Sequence, residues 1–229
     1  MIDQRPGTPT QADKILSFYQ HLDASFSLGA GIEIMNPYQH AHAWSCVTQF
    51  YQRFYGDYKN RRIIFGINPG RFGAGVTGVP FTDPIRLANV CAIANNFKKS
   101  PELSSVFVYE MIEAYGGATS FYNDYFITAL SPLGYVRAGR NLNYYDDKQL
   151  IADSERFIVD SIQQQVAMLN PGLVGWCLGE GTNFKLFNKL NQRNQFFDSI
   201  IPLPHPRWIM QYRRKSINQY IQLYLDALK

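Results

Sequence analysis

The chain contains short, uninterrupted apolar runs, each closed abruptly by turn residues, and this pattern constrains the fold more than any other feature of the sequence. Ile63-Ile64-Phe65-Gly66-Ile67 stops at Asn68-Pro69-Gly70, Tyr125-Phe126-Ile127-Thr128-Ala129-Leu130 at Ser131-Pro132, and Leu173-Val174-Gly175-Trp176-Cys177-Leu178 at Gly179. Runs without polar alternation suit strands buried on both faces, as in a parallel sheet covered by helices. Ile200 to Leu203 is a further candidate strand. Between the runs, apolar residues recur at three and four positions. This spacing predicts helices over Gln11 to Asp23, Trp44 to Tyr55, from Pro84 through Cys91, Lys148 to Leu169, Asn183 to Leu190 and Ser216 to Leu228. Strands alternating with helices place the chain in the α/β class, as a single three-layer α/β/α domain with a largely parallel central sheet. The domain is expected to span residues 1–229, with a loose N-terminus over 1–12 around Pro6-Gly7-Thr8-Pro9.

Composition narrows the chemistry. Cys46, Cys91 and Cys177 stand far apart with no Cys-x-x-Cys pair, which argues against a disulfide framework, a thiolate zinc site or an iron–sulfur cluster. No metal and no cofactor are expected. The first residues lack a basic start followed by an apolar run, and no stretch approaches the ~20 apolar residues of a membrane span. The expectation is a soluble, cytoplasmic monomer that does not engage a membrane. A net charge of +4 permits a polyanionic partner without demanding one.

In a parallel sheet, ligands bind beyond the carboxyl ends of the strands, so the segments after Ile67, Leu130 and Leu203 should converge on one crevice. Arg71 to Pro84, with Gly73, Gly75 and Gly78, reads as a loop. It fits neither a Walker loop nor a Gly-x-Gly-x-x-Gly turn, so tight turns at positive φ explain its glycines better than phosphate binding, and a nucleotide-binding enzyme is the weakest reading. Taken singly, an Asn in Asn-Pro-Gly is a turn residue and a His before Pro a loop donor.

Together these segments resemble the uracil-DNA glycosylase superfamily, and specifically its single-strand-selective monofunctional (SMUG) branch, over roughly residues 15–227. Asn36-Pro37 resembles the family's N-terminal Asn-Pro element, and Gly66-Ile67-Asn68-Pro69-Gly70 its first motif. Phe72-Gly73 followed by Thr77-Gly78-Val79-Pro80-Phe81, Ser131-Pro132-Leu133 in place of Cys-Pro-Leu, Gly139-Arg140-Asn141-Leu142, and His205-Pro206 follow in the family's order.

The resemblance implies a monofunctional DNA glycosylase of base-excision repair, acting on DNA that contains damaged or deaminated bases. A base is flipped into a pocket and water attacks the sugar carbon. Asn68 would position that water; an amide cannot act as a general base, so the transition state must be oxocarbenium-like. His205 would stabilise charge on the departing base. Phe81 would stack on the base, with Gly66, Ile67, Gly70, Phe72, Thr128, Ala129 and Ser131 forming its surroundings. Gly70 leaves room for 5-substituted uracils such as 5-hydroxymethyluracil. No lysine sits in the matched motifs to form a Schiff base, which argues against strand cleavage.

Two departures stand out. Where the family has a base-reading Asn this chain has Ala129, whose methyl cannot read uracil's hydrogen-bonding edge. Thr128, Ser131, a backbone group or the more distant Asn123 are the possible substitutes, and deaminated purines such as hypoxanthine and xanthine become possible substrates. The family's His-Pro-Ser-Pro-Arg is shortened to His205-Pro206-Arg207, so the wedge that fills the vacated stack falls to Arg207, Trp208, Ile209 or Met210. Arg71 is also expected to contact DNA. Arg213, Arg214 and Lys215 follow in a segment with no acidic residue between Asp198 and Asp226, which favours phosphate contact over a merely solvated face. A non-catalytic nucleic-acid or modified-base binding module is the alternative.

Overall fold

The computed structural model describes residues 7–23, 25–26 and 28–229. In chain order the elements are α1 (Gln11–Gln20), β1 (Ile32–Met35), α2 (Ala41–Tyr55), β2 (Arg62–Gly66), α3 (Ala74–Thr77), α4 (Pro84–Asn89), α5 (Leu103–Tyr115), α6 (Ala118–Asp124) and β3 (Tyr125–Ala129). They continue with β4 (Gly134–Arg137), β5 (Arg140–Leu142), α7 (Lys148–Leu169), β6 (Val174–Leu178), α8 (Thr182–Asn194), β7 (Ser199–Leu203), α9 (Pro206–Tyr212) and α10 (Ile217–Ala227).

The expected strands form a 4-stranded sheet in the order β3-β2-β6-β7, with every neighbouring pair parallel. Alternation along the strands sorts their side chains onto two faces. On one face Phe126 meets Tyr51 and Tyr55 of α2, Phe65 meets Phe187 of α8 at 5.1 Å, and Thr128 bonds Gln165 of α7. On the other, Tyr125 packs on Tyr115 of α5 and Trp176 Nε1 donates to Ala227 O of α10 at 3.0 Å. Helices therefore cover both faces, giving the three layers expected.

Several local expectations change. The predicted loose stretch 1–12 does not extend to Gln11 and Ala12, because α1 starts at Gln11 behind a Thr10–Asp13 capping box and both residues are buried. Residues 1–6 lie outside the described residues. α1 stops at Gln20 rather than Asp23, and the glycine-bearing loop after Arg71 contains the single turn α3. The polar stretch from Arg137 is not simply a turn: β4 and β5 pair antiparallel, and β1 joins β4 to complete a small second sheet. Gly134 opens β4 where a Cβ would stand 2.7 Å from Pro69 O, so only glycine lets this sheet approach the Asn-Pro-Gly segment so closely.

Candidate active site

The strand ends bring the candidate residues to one cavity. Beyond β2 and β3 the backbones stay paired, with Leu130 N donating to Gly66 O and Ser131 N to Ile67 O, both at 3.1 Å. β7 delivers His205 from the other side of the sheet. Between these segments lies a cavity of about 140 Å³ whose wall holds Asn68, Gly70, Phe81, Ala129, His205 and Arg207.

Asn68 is fixed from two directions. Its Nδ2 donates to Leu142 O at 3.1 Å, and its Oδ1 accepts from Tyr144 N at 3.0 Å, which settles which end of the amide is oxygen. The end of β5 and the residues just after it thus orient Asn68, and among the described residues the oxygen takes only this one donor, leaving a lone pair for a water. An amide so held can aim a water molecule and cannot take its proton.

His205 is the N-cap of α9, and its Nδ1 accepts from Arg207 N at 3.1 Å. An accepting Nδ1 in the neutral ring leaves the proton on Nε2, a donor available to an anion in the cavity. Burial, and secondarily the positive charge of Arg207, depress the imidazole from 6.5 to about 4. The ring is neutral at physiological pH and can stabilise developing negative charge by donating a hydrogen bond rather than by carrying a full charge.

Phe81 lies half-buried in the cavity wall and adopts φ +53°, a costly conformation for a bulky residue and of the kind that clusters at ligand sites. Its ring sits over Gly66, where a Cβ would approach Phe81 Cζ to 2.5 Å. Gly66 therefore seats the ring from beneath and is not itself on the cavity wall, whereas Ile67 is.

Other expected site residues are placed differently. Thr128 borders the cavity, but its hydroxyl donates to Gln165 Oε1 at 2.6 Å. Ser131 is buried away from the cavity, its hydroxyl bonded to Leu133 O and Tyr135. Asn123 sits just before β3, at the opposite end of the strand, where it accepts from Lys59. Phe72 stands outside the cavity, 49% exposed beneath the Arg71 guanidinium, which also donates to Gly139 O. Its place is on the surface rather than around a base. Met210 and Ile209 belong to the core, because the residues after His205 form helix α9 and turn these side chains inward. Arg207 and Trp208 are left as wedge candidates.

Trp208 is 38% exposed, with Arg213 stacked over its ring at 5.1 Å and Tyr220 against its edge. Arg207, Arg213, Arg214 and Lys215 are all exposed, and none forms a salt bridge with the described residues. A free basic face with an aromatic platform thus adjoins the cavity.

Sequence reasoning missed Glu102 and Ser104 of the cavity wall, along with Tyr19, Tyr38 and Asn143. Ser100-Pro101 just before Glu102 is a readable helix start but gives no mark of a pocket, and the two tyrosines likewise lie in segments with none. Among the described residues no cluster of His, Cys, Asp and Glu could hold a metal ion, and no helix is long and apolar enough to cross a membrane.

The family model of the uracil DNA glycosylase superfamily matches residues 53–229. Among solved structures, that of wild-type SMUG2 from Pedobacter heparinus is similar at 43% identity and a TM-score of 0.93, covering 96% of this chain and 97% of that one. No curated protein matches. The matched span contains Asn68, Phe81 and His205, the residues that the fold gathers at its cavity. The chain belongs to the uracil DNA glycosylase superfamily and is SMUG-like within it.

Proposed function

We propose that the protein is a monofunctional DNA glycosylase of base-excision repair that flips a damaged base into this cavity and hydrolyses its N-glycosidic bond. The observation that carries the reading is the meeting of Asn68, Phe81 and a neutral His205 on one cavity wall. Asn68 Oδ1 positions the water on the sugar side. Phe81 stacks on the base, and His205 Nε2–H donates to the base as it leaves with the bond's electron pair. Arg207, at the same wall, adds positive potential where that charge appears. None of the described residues on the wall is a lysine, which supports hydrolysis by water over a Schiff-base route.

The substrates include uracil, and the pocket's chemistry extends them to 5-substituted uracils and to hypoxanthine and xanthine. Gly70 lies on the wall with no side chain to exclude a 5-substituent, and Ala129 imposes no pyrimidine-specific hydrogen bonds. DNA is held by Arg207, Trp208, Arg213, Arg214 and Lys215 on the adjoining face, with Arg71 and Phe72 on the surface beside the glycine-rich segment. Base release from oligonucleotides carrying each lesion, single- and double-stranded, tests the reading. Wild type should release uracil, while Asn68→Ala and His205→Ala each lose most of the activity, on the order of 10²-fold or more, and keep DNA binding. Lesion binding without release by wild type would instead identify a binding module.

A further inference from the structure

We propose that Glu102, the N-cap of α5, and Ser104, on its first turn, read the edge of the flipped base in place of the carboxamide missing at Ala129. The inference rests on the glycosylase reading above and names how that site chooses its base.

The hydrogen-bonding side chains on or near β3 are engaged elsewhere. Thr128 donates to Gln165, Ser131 serves Leu133 O and Tyr135, and Asn123 lies at the far end of the strand. Glu102 and Ser104 both border the cavity. Glu102 Oε2 caps the helix by accepting from Ser105 N at 2.9 Å, while its Oε1 accepts no hydrogen bond from the described residues. The side chain lies along the glycine-rich segment, where a Cβ on Gly73 would be 3.4 Å from Glu102 Cγ. Ser104 is 6% exposed, and its hydroxyl has no partner among the described residues. Glutamate is not a favoured N-cap; Ser, Thr, Asp and Asn satisfy the same amide from a shorter reach. The additional methylene lengthens a side chain that lines the cavity and whose second carboxylate oxygen is left over from capping.

A carboxamide offers an acceptor and a donor side by side. Glu102 Oε1 and the Ser104 hydroxyl offer the same pair from two residues. Deamination turns an amino carbon beside a bare ring nitrogen into a carbonyl beside a ring N–H, in cytosine and in adenine alike. The Glu102 carboxylate accepts from that N–H and the Ser104 hydroxyl donates to that carbonyl. Cytosine and adenine present a ring-nitrogen lone pair to the carboxylate, which repels it; the pair tells an amino base from its deaminated product and does not by itself reject thymine or guanine. One acceptor–donor pair therefore reads uracil and hypoxanthine alike, the products of deamination of cytosine and adenine.

Oligonucleotides bearing 2′-fluorouridine or 2′-fluorocytidine, in which the fluorine suppresses departure of the base, measure the preference as a ratio of Kd values. Glu102→Gln can keep an oxygen on Ser105 N while presenting an NH₂ donor to the cavity. It should shrink the uracil-over-cytosine ratio about tenfold or more, and Ser104→Ala should shrink it several-fold. Glu102→Asp keeps a preferred cap but withdraws the carboxylate; it should lose the ratio with Tm unchanged, and it decides the matter where Glu102→Gln lowers Tm. A ratio at the wild-type value in both Glu102 variants overturns the assignment. Wild type that binds the two oligonucleotides equally and releases no uracil from the unmodified substrate overturns the glycosylase reading itself.

Discussion

Tyr144 grips Asn68 by its backbone and is itself anchored by its side chain: Tyr144 N donates to Asn68 Oδ1, and the Tyr144 hydroxyl donates to Asn183 Oδ1, each at 3.0 Å. Asn183 in turn donates to Leu178 O at the end of β6, and both Tyr144 and Asn183 are buried. The orientation of Asn68 is thereby tied to the central sheet through a segment more than seventy residues away in sequence.

Tyr144→Phe should therefore affect rate as well as stability. Removing the hydroxyl leaves Asn183 Oδ1 buried without its donor, at a cost of about 1–3 kcal/mol in denaturant unfolding. Because the same change loosens the strap on Asn68, single-turnover base release should slow about tenfold under conditions where the variant is fully folded. A lower Tm with an unaltered single-turnover rate would reduce Tyr144 to a packing residue.

On the proposed mechanism, the protonation of His205 should set the acid limit of base release. Its folded value is depressed from 6.5 to about 4, so between these two values the unfolded chain binds a proton that the folded chain refuses. The resulting contribution to stability is present above 6.5 and is lost as pH falls towards 4. Base release should show no step at 6.5 and decline only as pH approaches about 4, where the ring gains charge and its fixed hydrogen-bonding pattern changes. A single-turnover pH profile for wild type and His205→Gln checks this; a step near 6.5 that vanishes in the variant would mean that the imidazole titrates normally.

The central strands and long helices were legible because burial on both faces leaves a continuous apolar run, and burial on one face leaves a helical stripe. α7 was predicted at its observed bounds, since Asp147 caps it and Asn170-Pro171-Gly172 ends it. α5 escaped notice because it is apolar around most of its circumference, packed between the sheet, α9 and α10, so no stripe marks it. The small antiparallel sheet escaped because β5 spans only Arg140–Leu142 and is half exposed. The motifs pointed to Asn68, Phe81 and His205, which the fold gathers on one cavity wall, but not to Glu102, whose place on that wall exists only after distant segments meet. Of the four wedge candidates, Ile209 and Met210 are buried, because a helix as short as Pro206–Tyr212 leaves too little periodicity in the sequence to reveal its inward face.

Gly66 holds the place of Phe81, and adding a methyl there should show it. In Gly66→Ala the new Cβ would meet Phe81 Cζ at 2.5 Å and Thr128 O at 3.2 Å, so the ring must leave its seat. The expected cost is about 1–3 kcal/mol in stability. Binding of lesion DNA should weaken as well, because the stacking surface is displaced. Combining Gly66→Ala with Phe81→Ala removes the clash, so the double variant should be more stable than the sum of the single changes predicts. Strict additivity in denaturant unfolding would show that the ring does not rest on Gly66.

The basic face should declare itself through salt. Arg207, Arg213, Arg214 and Lys215 are exposed beside the cavity, where each phosphate neutralised releases condensed counterions. For a single strand, replacing one such residue with Ala should lower the slope of log K against log salt by about 0.7, without changing which lesion is preferred. Arg213 differs from Arg214 because its guanidinium lies 5.1 Å over the Trp208 ring. Arg213→Ala should therefore also weaken binding at high salt, where charge is screened and stacking by an ordered Trp208 persists, whereas Arg214→Ala should converge on wild type there. Fluorescence titrations of a labelled single strand across a salt series separate the two behaviours. Equal salt slopes for wild type and all four single variants would place the DNA on another face.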